Sequence, residues 1–430
     1  MKALVVERSL PRFAAARLRS TLGMGPGGAV SPVRLADVDA PRPPGPGWHL
    51  VRTILSGICG SDLATVEGRS SRWFEPIVSF PFVPGHEVVG HVDSDPSDRV
   101  VLEAVLSCAS RGIDPPCAAC ASGRVGNCES ISLGALSPGL QTGFCCDTGG
   151  GWAGALVAHE SQLHRVPDEL SDTEAVLAEP VACGVHAALA APEAEAATVA
   201  VVGAGTVGLA VTAALHRFVR PASLVVSARH THQQKLAVHL GADVTVGSEG
   251  TVAAVRRVTR TMTVGGRLTG GADVVYDCVG SAQSLHESLA VVRPRGTIVL
   301  AGMPSPARVD LTPLWQREVK LAGAYAYGLE DRTRGARSGD GRPGGVGSGD
   351  GGSGDGRRSS FDMAFELVAA AGLGRLVSAS YPLDRHEEAL AHASSAGRRG
   401  AVKIVFEPGA RRTPPSGRQS RSAQSRAREA

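Results

Sequence analysis

Three short segments, far apart in the chain, carry residues able to hold a catalytic metal: Gly57-Ile58-Cys59-Gly60-Ser61-Asp62, Gly85-His86-Glu87 and Glu179-Pro180-Val181-Ala182-Cys183. A catalytic zinc takes three N, S or O ligands from the protein and keeps a fourth position open for water or substrate. Cys59, His86 and Glu179 supply such a set. Each alone has an ordinary structural use: a small buried thiol, a loop histidine, a carboxylate at a helix N-terminus. Cys183 lies one helical turn beyond Glu179, so it competes for the third position or packs beside it. A second group is Cys108, Cys117, Cys120 and Cys128. In a long chain with no recognisable secretory leader, such clustering reads as a metal site before a disulfide framework. Four thiolates leave no open position, so this site would be structural.

A third kind of chemistry lies at Gly203-Ala204-Gly205-Thr206-Val207-Gly208, which fits G-x-G-x-x-G. With 54 glycines in the chain, the pattern alone says little. Its setting says more: an apolar run, TVAVV, precedes it, a helix-like run follows, and a second strand-like run ends about twenty residues on. Gly203 permits the tight turn, Gly205 lets a pyrophosphate approach the backbone, and Gly208 allows close packing of helix on strand. The helix start at Thr206 and Val207 offers free N–H groups to the phosphates. The second strand ends Val226-Ser227-Ala228-Arg229-His230, where an NAD site usually has a carboxylate for the ribose hydroxyls. Ala228 stands there instead. Arg229, assisted by His230, is placed to grip a 2′-phosphate, so NADP is expected over NAD.

These groups need two kinds of scaffold. Residues 198–327 alternate β-branched apolar runs with helix-like stretches, which predicts a parallel sheet with crossover helices. Residues 47–166 have shorter strands and many Gly and Pro, which suggests an irregular β unit. Three stretches look unlike folded core: Pro11 to Ser31, the Gly/Ser/Asp/Arg-rich 332–358, and the basic tail 409–430.

The segments GICGSD, PGHEVVGHV, LAEPVACGVHA, VVGAGTVG and DCVG occur together, in the order and spacing of one family. By them the chain resembles the zinc-dependent medium-chain dehydrogenases, and by its Glu-Pro form the sorbitol, threonine and glucose dehydrogenase branch. The resemblance implies an α/β protein in which a GroES-like irregular β unit is combined with a Rossmann doubly wound parallel sheet. It divides the chain into a catalytic unit at 1–190, a dinucleotide unit at 191–327, and a completion of the catalytic unit at 328–408 that carries the 332–358 insertion. It implies zinc on Cys59, His86 and Glu179, with Glu87 close enough to exchange onto the metal. Asp62 would orient the histidine, Ser61 would take the substrate's proton, and Lys403 would contact the cofactor phosphates. Cys117, Cys120 and Cys128 match three of the four structural ligands. The usual fourth position is Asp114, so either Cys108 loops back to complete the site or Asp114 does. Relatives often carry a proton-relay histidine five residues after the cysteine ligand, where this chain has Ala64. Cys145, Cys146 and Cys278 read as packing residues.

The expected activity is hydride transfer between a nicotinamide cofactor and an alcohol or polyol, or the corresponding carbonyl. A zinc-free quinone or enone reductase, or a dinucleotide-binding protein without catalysis, are the rival readings. The resemblance also implies a homodimer or homotetramer. The net charge of +3 comes from the tail, where six Arg face one Glu, so the remaining body is slightly acidic and no nucleic-acid partner is expected. No apolar run reaches the roughly 18 residues that span a bilayer, so a cytoplasmic protein without a membrane partner is expected.

Overall fold

The metal-binding segments and the glycine-rich turn sit on two different sheets of a computed structural model that describes residues 1–28, 30–331 and 356–409. All but the last three residues of the 332–358 insertion, and the tail beyond Gly409, lie outside the described residues. The first sheet is built around β3 (Trp48–Gly57). β4 (Val88–Val92), β5 (Asp95–Leu102) and β7 (Leu163–Arg165) follow it in antiparallel order, and β6 (Ala155–His159) pairs with its first half. On its other side lie two strands from the far end of the chain, β18 (Val377–Tyr381) and β19 (Lys403–Phe406). β19 pairs antiparallel with the end of β3 through Val405–Gly57 and Phe406–Ser56. An antiparallel pair, β1 (Lys2–Val6) and β2 (Val33–Asp37), covers this sheet, burying Leu4, Val6 and Val33 with Phe82, Trp152 and Phe406.

The second sheet comprises β8 (Thr198–Val202), β9 (Ser223–Ser227), β10 (Val244–Val246), β13 (Ala272–Asp277), β14 (Val292–Leu300) and β15 (Lys320–Gly323). A small hairpin, β11 (Thr263–Val264) with β12 (Arg267–Leu268), interrupts the series. The order is β10-β9-β8-β13-β14-β15, parallel throughout. Near-continuous apolar strands such as TVAVV and SLVVS suit a sheet covered on both faces. The order reverses beside β8, and ligands of such sheets bind at that switch point. The crossovers are α6 (Thr206–Ala214), α7 (Thr231–His239), α8 (Thr251–Thr259) and α9 (Ala282–Val291), and α10 (Thr312–Gln316) precedes β15.

Two helices join the units. α5 (Ala178–Leu189) is buried along nearly its whole length, and α11 (Ser360–Ala371) packs with it: Val181, Val185, Phe361 and Leu367 share one core with Val199 and Leu209. α2 (Gly60–Val66), α3 (Ala118–Ala121), α4 (Asp172–Ala175) and α12 (His386–Ser394) are shorter.

One stretch expected to be unlike folded core contains a helix, and the last residues of another belong to a strand. Leu10–Thr21 forms a helix, α1, whose Phe13 meets Phe80 edge to face at 6.4 Å. The helix leans on Gly68, which has a positive φ of 64° and where a Cβ would come within 2.5 Å of the Phe13 carbonyl. Arg357 and Arg358, counted in the insertion, belong to β17 (Arg357–Ser359), which pairs with β16 (Leu329–Asp331). The pairing is anchored by Glu330, buried and accepting from the Ser360 hydroxyl at 2.7 Å, with His186 Nδ1 at 2.7 Å.

Candidate functional site

β3 runs into the site and stops at Gly57, one residue beyond which the chain turns so that Cys59 precedes α2. Asp62, in the first turn of α2, accepts from the Cys59 N–H at 2.9 Å with one carboxylate oxygen. Its other oxygen faces His86 Nδ1 at 3.6 Å. One buried carboxylate thus fixes the attitude of both Cys59 and His86, the arrangement that orients metal ligands. Burial opposes the charged form of His86, but Asp62 and Cys59 outweigh it and raise its pKa well above the ordinary range.

The sulfur of Cys59, a ring nitrogen of His86 and a carboxylate oxygen of Glu87 lie within 4.8 Å of one another. Glu179, expected as the third ligand, is outside this group. Glu87 has its room at Gly57: a Cβ there would sit 1.8 Å from Glu87 Oε2, so its absence opens the space into which Glu87 folds. Glu179 remains close and buried, with Cys183 Sγ donating to it at 3.7 Å, and burial pushes its pKa up to about 7. Burial also pushes the Cys183 thiol up, reinforced by Glu179 and Cys59. A cysteine sulfur, an imidazole and a carboxylate in one largely buried cluster form a donor set that suits zinc. Asp62 Oδ1 and His86 Nδ1 have no hydrogen-bond partner closer than each other, and the buried Ser61 Oγ has none. A buried hydroxyl without a partner is rare in folded proteins and fits a site built for a further group.

Lys403 has a different place from the one expected. It is buried, and its ammonium donates to both oxygens of Glu87 at 2.6 and 2.7 Å and to the Ile58 carbonyl at 3.2 Å. All three of its N–H groups are therefore spent inside the metal cluster, away from any phosphate. Burial disfavours the charge, but Glu87 outweighs it and keeps the ammonium. Ala64 is buried, and His91, in β4, is four residues from Glu87, roughly 13 Å away at strand spacing.

In the second cluster Cys108, Cys117, Cys120 and Cys128 also lie within 4.8 Å of one another, so Cys108 and not Asp114 completes the set. Cys117 N–H donates to Cys108 Sγ at 3.3 Å, Glu129 N–H to Cys117 Sγ at 3.4 Å, and Ser130 N–H to Cys128 Sγ at 3.4 Å. Burial opposes the thiolate at Cys117, but backbone N–H groups outweigh it and bring its pKa to about 6. Burial dominates at Cys120 and Cys128 and pushes both up. Four sulfurs this close cannot all ionise without a cation between them, and the cluster therefore fits a tetrahedral metal. A residue that gave no signal in the sequence braces the lobe. Arg111, fully buried, donates to the carbonyls of Leu106, Leu133, Leu136 and Gly139. Of the three cysteines expected to pack, Cys145 is buried and Cys278 half-buried, but Cys146 is exposed, its sulfur 3.3 Å from Asp147 Oδ1.

The glycine-rich turn joins β8 to α6. Gly203 has φ 94°, and a Cβ there would meet Val279 at 2.3 Å; at Gly208 it would meet the Gly203 carbonyl at 1.8 Å. Gly205 precedes α6 and has nothing within 4 Å of its missing Cβ, which leaves the helix N-terminus open to a ligand. Thr206 and Val207 form the first turn of α6. β9 ends at Ser227; Ala228 is buried, Arg229 exposed and His230 half-exposed. Burial, then His232, Arg229 and Arg398, lower the His230 pKa.

Residues 45–168 match the alcohol dehydrogenase GroES-like domain family, and residues 206–337 the zinc-binding dehydrogenase family. The chain belongs to the zinc-dependent medium-chain dehydrogenase/reductase family. It is 30% identical to an L-idonate 5-dehydrogenase of Vitis vinifera over 292 residues, covering 64% of this chain and 73% of the relative. It is likewise 30% identical to a sorbitol dehydrogenase of Arabidopsis thaliana, covering 66% and 76%. Its fold is shared with a zinc-binding dehydrogenase of Sinorhizobium meliloti bound to NADP (TM-score 0.62, 23% identity, 87% of this chain and 96% of that one). It is shared also with L-idonate 5-dehydrogenase of Escherichia coli (TM-score 0.62, 21% identity, 94% and 97%). The α/β architecture, a GroES-like unit with a Rossmann sheet, is the one the sequence implies.

Proposed function

We propose that this protein is a zinc-dependent oxidoreductase that moves a hydride between NADP and an alcohol or polyol, or the corresponding carbonyl. The observation that carries the reading is the convergence of Cys59, His86 and Glu87 beside the unpartnered Ser61 hydroxyl. When bound, zinc supplies Lewis acidity toward the substrate oxygen, and the nicotinamide supplies the hydride chemistry. Cys59, His86 and Glu87 hold the metal. Glu179 faces the same cluster as a buried carboxyl able to carry a proton near neutrality, and with Cys183 it shapes the wall of the site. Asp62 orients His86 and Cys59, and Lys403 holds Glu87. Ser61 would accept the substrate's hydroxyl proton while giving its own hydroxyl proton up to solvent, since Ala64 offers no side chain to take it. The second zinc, on Cys108, Cys117, Cys120 and Cys128, is structural. Metal analysis together with turnover of NADP on a panel of polyols tests the reading, and a metal-free, inactive preparation from zinc-supplemented growth would defeat it.

The same proposal places the metal unit at 1–190 and 328–408 and the dinucleotide unit at 191–327, supported by β18 and β19 joining the first sheet. It takes the protein to be cytoplasmic, with no nucleic-acid or membrane partner. Nine free cysteines support this, as does the lack, among the described residues, of any helix long and apolar enough to cross a membrane. It takes the oligomer to be a homodimer or homotetramer, supported by β15, an open sheet edge flanked by the exposed Trp315 and Leu321. A monomer by light scattering would contradict that part.

Cofactor preference rests on Ala228 and Arg229. A charge-assisted bond to a phosphate contributes about 1.5–3 kcal/mol, or roughly ten- to a hundredfold in affinity. Wild type is expected to bind NADP more tightly than NAD, with a preference that salt weakens. Arg229→Ala should remove most of it, and Ala228→Asp should reverse it. Because the His230 pKa is already lowered, the preference should change little between pH 7 and 8. Dissociation constants for both cofactors check this; equal values in wild type would refute the preference.

A further inference from the structure

The end of β9 does not face solvent alone. The turn between α12 and β19, part of the metal unit, is packed against it. Gly397 in that turn lies so close to His230 that a Cβ would come within 2.4 and 2.5 Å of the ring's Cδ2 and Nε2. Two residues on, His232 Nε2 is 3.2 Å from the Ala401 carbonyl, and the His230 and His232 rings stack with centroids 5.8 Å apart. This contact brings Arg398, next to Gly397, up to the residues that follow β9.

Arg229 and Arg398 are both exposed, and among the described residues neither is ion-paired. Burial makes the protonated form of His230 less favourable, and the charges of His232, Arg229 and Arg398 add to it. A carboxylate at the end of β9 is that of Glu287. Its Oε1 accepts from Ser227 Oγ at 2.8 Å and Thr251 Oγ1 at 2.5 Å, so it serves those hydroxyls and neither arginine. Both guanidinium groups therefore act on the same ring at the end of β9, the one from the residue before it and the other from the turn packed on it, and a doubly charged anion bound there would be attracted by both.

We propose that Arg398 and Arg229 form a two-sided clamp for a phosphate monoester, the 2′-phosphate of the cofactor's adenosine ribose, with one arginine supplied by each unit. The inference rests on the dinucleotide reading above and adds a residue from the opposite side of the cleft. Each planar fork can offer paired N–H donors to the phosphate oxygens, and the two approach from different directions. The phosphate then bridges the units, so its affinity depends on both.

The test uses the full chain and two probes that need neither metal nor substrate, adenosine 2′,5′-bisphosphate and adenosine 5′-monophosphate, titrated calorimetrically. Wild type should bind the bisphosphate at least tenfold more tightly. Arg398→Ala should weaken the bisphosphate by roughly tenfold and leave the monophosphate unchanged, and Arg398→Lys should fall between. Arg229→Ala with Arg398→Ala should abolish the difference between probes. If Arg398→Ala leaves the ratio of affinities unchanged while Arg229→Ala lowers it, the Rossmann unit holds the phosphate alone and the clamp is wrong. If Arg398→Ala weakens both probes equally, Arg398 serves the fold or the 5′-phosphate and the clamp is again wrong. Equal affinities in wild type would overturn the NADP reading itself, a separate outcome.

Discussion

Cys59→Ser will leave the chain folded but without its proposed catalytic zinc, and turnover will fall by roughly 10³-fold or more, the kinetic equivalent of about 4 kcal/mol of Lewis-acid stabilisation. The comparison that assigns the third ligand is between the two glutamates. Glu87→Gln removes the carboxylate grouped with Cys59 and His86 and also leaves the Lys403 ammonium without its partner. It is expected to lose the metal, and its apoprotein is expected to unfold at lower denaturant, because an unpaired buried charge is strongly destabilising. Glu179→Gln removes a carboxyl that burial already holds partly protonated near neutrality. It should keep its zinc and lose activity mainly at the higher end of the pH range, where wild-type Glu179 is ionised. Mass-spectrometric metal counts on the three variants, with a cofactor-coupled rate, decide the matter. Retention of zinc by Glu87→Gln and its loss from Glu179→Gln would reverse the assignment.

That reversal would restore what the sequence suggests, and the reason for the discrepancy is instructive. Cys59, His86 and the turn from Gly203 to Gly208 are legible because their chemistry needs particular residues at particular spacings. The grouping of Glu87 with Cys59 and His86 is not, because the space for Glu87 depends on Gly57, a residue at the end of β3. Lys403 is similar. Its sequence position is clear, but its partner depends on β19 lying beside β3, a pairing across some 350 residues that no local pattern reports. Cys108 joins its lobe because the chain loops back over nine residues, which spacing rules written for shorter loops leave open. Helix α1 is hidden for a simpler reason: its apolar face is short, and its packing partners, Phe80 and Gly68, come from elsewhere in the chain.

The second large effect is expected from Cys120→Ser. The cysteine lobe has little apolar core of its own, and its loops are gathered by the four sulfurs and by Arg111. Loss of one ligand should lower the metal content by one zinc per chain and free the loops around Cys108 to Cys128. A destabilisation of about 4 kcal/mol, as expected for loss of a structural metal, corresponds to a drop of roughly 8–16 °C in the thermal midpoint. The lobe is also tied to the rest of the protein. Leu329 N–H donates to the Gly123 carbonyl at 3.0 Å, and Arg357 to the Ser122 carbonyl at 2.7 Å. Unravelling it should therefore expose the β16–β17 hairpin to proteases as well. Calorimetry and limited proteolysis, before and after chelation of the wild type, check both parts; an unchanged midpoint with one zinc lost would show that the metal is not structural.

The position of β19 also has a consequence for the order of events during synthesis. The Rossmann strands, Thr198 to Gly323, are contiguous in the chain and can pair as soon as they leave the ribosome. The first sheet cannot. Its β3 emerges early, but the strand that closes its edge, and the ammonium that neutralises Glu87, arrive only with residues 403–406. Through most of translation the nascent chain therefore holds an open strand edge and an unbalanced buried carboxylate, the two features that favour mispairing and recruit chaperones. On the proposed assignment, the Cys59 centre is then expected to take its metal late, after release of the last strand, whereas the cysteine lobe, complete by Cys128, can take its ion while the rest is still being made.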